Sequence, residues 1–271
     1  MREFYLINKL NEKWNLNKTD SFFHDPVGLG QEHKVKYEQI GTSFQKTEDF
    51  LKQKIISGKI KFSGYEAFEK FSKFIQYKPL ILEYSSSDMY HIDVSIDKIE
   101  KKELETLGLI AEIQMKSLGT FYKKIEKQNV ETNIGKRYDY KYKYTYSDTS
   151  IGVVEIDSDS TLLSKTKITI LGPCINPTWK HNLNGLIVAD GRINSSIAAG
   201  HRAVIDSIIF PYEIAEYDEN GRYLRDLYQM SDFSTKRFIN LQCGKNRISV
   251  SQEGSGKINF FIEGRIEYES V

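Results

Sequence analysis

Cysteine is nearly absent from this sequence. The only two, Cys174 and Cys243, each stand alone, without a CxxC partner or a histidine at zinc spacing. A disulfide scaffold or zinc module therefore has no support. Both are expected to be small buried hydrophobes in strands or turns. Histidine is also sparse. Of His24, His33, His91, His181 and His201, none lies two or four residues from another, so metal pairs on one strand or helix are missing. No HExxH, nucleophile elbow, phosphate-cradling glycine loop or cysteine motif occurs, and Gly28-Leu29-Gly30 is too short for a dinucleotide fingerprint. Carboxylates are scattered, and no glycosidase pair stands out. A triad built from distant residues would leave no such trace, so the reading against an enzyme, and the expectation of no cofactor and no metal, rest on the missing motifs.

Long apolar runs are missing too. No stretch approaches the roughly 18–20 apolar residues of a membrane span, and Met1-Arg2-Glu3-Phe4-Tyr5 lacks a signal-peptide core. The expectation is a chain made in the cytoplasm, soluble and not inserted in membrane. Charge of one sign is not in excess, with 38 Lys+Arg against 37 Asp+Glu and a formal charge of +1. A dedicated nucleic-acid binder would show a basic surplus or stripe.

What is present reads as β. The 271 residues, 39% hydrophobic and 28% charged, suit one large or two medium globular domains. Tyr90, Ile92, Val94 and Ile96 alternate with polar neighbours, as do Leu109, Ala111, Ile113 and Met115, the period of half-buried strands. Pro79 to Tyr84 reads as a further strand. One segment differs: Tyr65, Phe68, Phe71 and Ile75 recur at helical spacing after Gly64 and before Pro79, predicting an amphipathic helix over about 65–76 with its aromatic stripe on a sheet.

The middle holds Tyr138, Tyr140, Tyr142, Tyr144 and Tyr146, alternating with charged and polar residues. Such a strand could pack its amphipathic rings on a neighbouring domain or subunit, or stack bases or sugars. The polar stretch Lys123–Lys136 is the best boundary, dividing 1–135 from 136–271. Beyond it, short strands are punctuated by Asn184-Gly185, Ala189-Asp190-Gly191, Asn220-Gly221 and Gly254-Ser255-Gly256. Asn220-Gly221 is a hairpin signal because both residues tolerate positive φ. The last strand puts Ile258, Phe260, Ile262, Ile266 and Tyr268 on one face, with Gly264 as a bulge or close contact. Many short strands with regular turns read as a β-sandwich.

Two loops are distinctive. In Phe22-Phe23-His24-Asp25-Pro26-Val27-Gly28-Leu29-Gly30, Asp-Pro initiates a turn, the glycines allow left-handed backbone, and the Phe pair can anchor it. In Ile170 to Trp179, Pro173 and Pro177 interrupt pairing, and Trp179 is either a packing anchor or a platform for a sugar ring.

At these loops the sequence resembles the siphovirus distal tail proteins of phages infecting Gram-positive bacteria. The motifs are Phe22-Phe23-x-Asp25-Pro26-x-Gly28-Leu29-Gly30, Ile60-x-Phe62-x-Gly64-Tyr65, Gly172-Pro173-x-x-Asn176-Pro177-x-Trp179, Val204-Ile205-Asp206-Ser207, Asn220-Gly221, Leu227 to Phe233, and Gly244-x-Asn246, in that order along the chain. The resemblance implies a mainly β chain with one or two helices. Its N-terminal domain would be β-barrel or split-barrel-like with a packed helix, its C-terminal domain a galectin-like β-sandwich. It implies a homohexameric ring at the virion tail tip, assembled in the host cytoplasm. Partners would be the tail tube protein, the tail-associated hub or lysin, and often receptor-binding proteins, with DNA only in transit through the lumen. The alternative is a carbohydrate-binding adhesion module contacting the host cell wall. For a ring, the contact residues are expected at Phe22, Phe23, Asp25, Pro26, Gly28, Leu29 and Gly30 and in the tyrosine strand. Asp at Phe23 and Leu29 would then harm assembly more than folding.

Overall fold

Alternating apolar residues become strands, and strands dominate the computed structural model, which describes residues 2–102, 108–128, 131–133, 151–253 and 257–271. Two units form, one of Met1–Lys123 with Tyr268–Val271 and one of Lys124–Glu267. The division falls at the start of the polar stretch, whose first residues continue a strand, Phe121–Gln128. The expected junction at 135/136 and the tyrosine strand 138–146 lie outside the described residues.

The first unit contains β1 (Glu3–Ile7), β2 (Lys13–Asn15), β3 (Asn17–Lys18), β4 (Ser21–Val27), β5 (His33–Ile40), β6 (Ser43–Leu51), β7 (Ile55–Phe62), α1 (Tyr65–Phe74), β8 (Leu80–Ser85), β9 (Met89–Lys101), β10 (Leu109–Ser117) and the start of β11 (Phe121–Gln128). An antiparallel sheet runs β2-β1-β8-β9-β10-β7-β4-β3. Its ends are drawn together at Leu16, which donates its N–H to the Phe4 carbonyl at 2.9 Å and accepts from the Phe23 N–H at 2.7 Å. The Asn17 side chain adds bonds to the Phe4 N–H and carbonyl, but no strand ladder forms there, so the sheet curls without closing. The barrel expectation is corrected to that extent: this is an open, curled sheet.

Helix α1 lies where the spacing predicts, but its buried face is rotated. Phe71 and Phe74 are buried, whereas Tyr65 is exposed. Phe71 and Phe74 each pack against Trp14 with ring centroids 5.5 Å apart, and Phe71 also meets Phe62 at 5.3 Å. The helix has no side-chain N-cap, and its tertiary anchor is this aromatic cluster. That is usual for a helix of ten residues, too short to stand alone.

The second unit contains β12 (Glu131–Asn133), β13 (Ile151–Ser158), β14 (Ser164–Leu171), β15 (Cys174–Ile175), β16 (Thr178–Leu183), β17 (Leu186–Ile193), β18 (Ser196–Ile197), β19 (Arg202–Asp206), β20 (Glu213–Tyr217), β21 (Tyr223–Asp226), β22 (Ser231–Asp232), β23 (Asn240–Leu241), β24 (Gly244–Ser251) and nearly all of β25 (Asn259–Tyr268). One sheet runs β21-β20-β19-β14-β25, the other β12-β13-β24-β16-β17-β22. Each buries alternate residues, Ile168, Ile170, Phe260 and Ile262 from the first and Val154, Ile156, Ile248 and Val250 from the second. Two sheets with one buried face each form the expected β-sandwich.

Several local expectations change. Trp179 is wholly buried, so it is a core anchor and no sugar platform. Ala189-Asp190-Gly191 is not a turn but part of β17, with Gly191 directly opposite Trp179. A β-carbon at Gly191 would lie 2.2 Å from the indole, so this glycine makes room for the ring. Gly264 sits in regular register with Thr166 and is neither bulge nor close contact. At Asn220-Gly221 only Gly221 has positive φ. Asp218 builds the turn instead, its carboxylate accepting from the Asn220 and Arg222 N–H groups. Cys174 is buried as expected, but Cys243 is exposed, and the two are unbridged.

Within this core, His181 is fully buried. Asn246 donates through Nδ2 to the carbonyls of Ile156, Gln242 and Gly244 and accepts at Oδ1 from the Gln242 N–H. Its Oδ1 can therefore only accept from His181 Nε2, at 2.9 Å, which leaves Nδ1 as the bare nitrogen, buried and without a hydrogen-bond partner among the described residues. Protonation there would bury an unpaired charge. Burial holds the imidazole below its ordinary 6.5, with the Asn246 bond acting in the opposite sense. The unfolded chain thus takes up this proton before the folded one, and stability falls as pH drops below 6.5 toward the lowered value. Glu216 acts lower on the scale. Burial pushes its carboxyl up, but bonds from His201 and Arg225 outweigh that and hold it below the ordinary carboxylate value. Its stabilisation is lost only as pH falls through that depressed pKa. In a Trp14→Phe background, Trp179 fluorescence should report a denaturation midpoint that declines from about pH 7 to pH 5, and His181→Gln should flatten the decline. An unchanged slope in the variant would contradict this assignment.

Candidate assembly interface

The first unit leaves one element off its sheet. Strands β5 and β6 pair only with each other, in register from His33↔Leu51 to Ile40↔Ser43. Gly41, with φ 64°, opens the two-residue connection Gly41-Thr42, as a type II′ hairpin requires. None of its residues is buried. Tyr37 and Phe44 project from one face at 61% and 71% exposure, and Ile40 and Phe50 from the other at 60% and 57%. The base is fastened by polar contacts: His33 Nδ1 lies 2.7 Å from Asp49 and its Nε2 3.5 Å from Glu269, while Lys52 pairs with Glu32. The Asp49 bond, against some desolvation, holds the His33 imidazole above its ordinary value.

Such an arm is chemically incomplete. A two-stranded ribbon is marginal in water, and both its outer edges carry unpaired backbone groups that can template another chain. Each exposed large apolar side chain would contribute roughly 1.5–3 kcal/mol on full burial. No group of His, Cys, Asp or Glu suited to a metal occurs among the described residues. What the arm offers is contact surface.

Sequence reading passed over this arm, although Val35 and Tyr37 alternate with Lys34, Lys36 and Glu38 before a Gly-Thr turn. The loop it favoured instead, 22–30, is mostly strand. Residues Ser21 to Val27 form β4, paired with β7 and bulged between His24 and Val27, with Asp25 at φ 53°. Gly28 has φ 94°, and a β-carbon there would lie 2.0 Å from the Ile55 carbonyl oxygen. Phe22, Asp25 and Gly30 are exposed, Pro26 and Gly28 half-buried, and Leu29 packs partly on the core. Phe23 belongs to the core, edge-on to Phe4 with centroids 5.2 Å apart and over Gly58. The Phe pair is therefore split between inside and outside.

Residues 3–135 match the family model for the distal tail protein N-terminal domain. By that match the N-terminal half of the chain belongs to the distal tail protein family. In fold, it is similar over its whole length to a full chain of the phage P2 baseplate in its activated, calcium-bound conformation, with TM-score 0.66 and 14% identity. It is similar also to the Dit protein of phage SPP1, described as a hub adsorption apparatus of phages infecting Gram-positive bacteria. There 96% of this chain covers 98% of that one, with TM-score 0.61 and 8% identity. No curated protein matches it in sequence. A distal tail protein is a structural part of a bacteriophage tail, and residues 3–135 of this chain carry that protein's N-terminal domain.

The burial contrast predicts opposite responses to Asp. Phe44→Asp should leave unfolding free energy within about 0.5 kcal/mol, whereas Phe23→Asp should cost at least about 3 kcal/mol. Chemical denaturation checks both, and a large loss from Phe44→Asp would mean that the arm is packed.

Proposed function

We propose that this distal tail protein is a non-enzymatic ring subunit at the virion tail tip, six copies enclosing a channel for DNA in transit. The single observation that carries the reading is the exposed β5–β6 arm. A ribbon with two open edges and apolar side chains on both faces is suited to lie against the next copy of the same chain. Repeated head to tail, such a heterologous contact closes into a ring. The exposed Phe22 and the Asp25-Pro26 bulge on β4 would add to the same contact.

In this reading the first unit builds the ring, and the division into a ring-forming and a sandwich domain is functional. The tail tube protein and the hub or lysin would dock on the ring's two sides, with receptor-binding proteins carried on the outside. The near balance of 38 basic and 37 acidic residues suits a conduit that lets DNA pass. Native mass spectrometry of the purified protein, alone and with tube protein added, should find six-subunit species. The double variant Tyr37→Asp/Phe44→Asp should be monomeric with an unchanged Tm. Hexamers that persist in the double variant would show that the arm is not the contact, and a monomer under every condition would refute the ring.

A further inference from the structure

The outward face of the β21-β20-β19-β14-β25 sheet carries a groove of about 540 Å³ that assembly does not call for. Strand register lays three rows across it. The middle row, Phe261–Thr169–Val204–Ala215, is a mostly apolar floor. On one side runs the charged row Glu263–Lys167–Asp206–Glu213. On the other, Arg202 stands beside Tyr217. Much of this polar rim is satisfied internally, Lys167 by Glu263 at 2.8 Å and the Tyr217 hydroxyl by donating to Glu213 at 2.9 Å.

Beside the exposed Glu126, three groups are left over. Asp206 is more than nine-tenths buried yet lines the groove, and one of its oxygens accepts only the Ile208 N–H, at 2.7 Å. Its other oxygen, the Arg202 guanidinium and the Thr169 hydroxyl have no intramolecular partner among the described residues. Gly221 gives the guanidinium its place, since a β-carbon there would come within 3.0 Å of Nη2. Asp206 and Arg202 are four residues apart on β19, roughly 13 Å between α-carbons, with Val204 between them. An acceptor-only carboxylate and a donor-only guanidinium thus face each other across an apolar floor.

We infer that this groove binds a neutral saccharide. A sugar ring presents hydroxyls that donate to Asp206 and accept from Arg202, and a C–H face that lies on Val204 and the Phe261 ring. The volume falls in the range of small-ligand sites. Four carboxylates (Glu126, Asp206, Glu213, Glu263) against two cations disfavour an anionic polymer. A metal ion lacks a ligand cluster among the described residues.

The inference stands apart from the ring reading, because it concerns the second unit alone. Ligand-observed NMR on the full chain would use chitobiose, cellobiose, lactose and maltose as neutral probes, with poly(glycerol phosphate) as the anionic comparison. At least one neutral disaccharide should bind. Arg202→Met and Asp206→Asn should each weaken it about tenfold or more, while Lys180→Met on the other sheet changes nothing. Arg202 makes no contact that the fold needs, so its variant should keep the wild-type Tm. No binding of any neutral probe at millimolar concentration, preference for poly(glycerol phosphate), or binding that survives both groove variants would each overturn the assignment.

Discussion

A backbone hydrogen bond in a sheet has two sides, and the whole arrangement follows from which strands find a second neighbour. In the first unit, β9 pairs with β8 along its first half and with β10 along its second, so the sheet bends around one core. The unclosed seam at Leu16 ends that sheet without an extended free edge between β1 and β4. Strands β5 and β6 are left outside it, with open edges and exposed Tyr37, Ile40, Phe44 and Phe50. In the proposed ring, the edge and side chains that one copy exposes are what the next covers.

The strands that bury one face were legible from the sequence. Leu109, Ala111, Ile113 and Met115 alternate in burial as in hydropathy, and Ile258 through Ile266 do the same. The helix was legible in place but not in phase, because Tyr65 and Phe74 lie on opposite sides of it and only Trp14, far off in sequence, decides which side is buried. The glycines were misread for a similar reason. Nothing local distinguishes a turn Asp-Gly from Asp190-Gly191, where glycine admits the indole of a residue on the adjoining strand. The arm was missed because its apolar residues face water on both sides, so the two-fold alternation of a half-buried strand is diluted by Lys and Glu.

The motifs that carry the family resemblance turn out to be fold-making. Asn246 ties the 242–244 turn to His181, Trp179 fills the sandwich, and Ser207 closes onto the Thr166 backbone. The proposed working surfaces lie only partly within them: an arm rich in Lys and Glu that no motif covers, and a groove in which Asp206, a motif residue, shares β19 with Arg202. Sequence motifs thus reported mostly the scaffold and left the β5–β6 arm unmarked, since contact surfaces differ little in composition from ordinary surface.

The central claim is that the β5–β6 arm of one copy lies on the next copy of a closed six-fold ring. Single-particle electron microscopy of the assembled protein tests it most directly. The account predicts a six-fold ring with a central channel and each arm's Phe44 buried against a neighbour. A ring whose arms project freely into solvent, or particles without rotational closure, would contradict it.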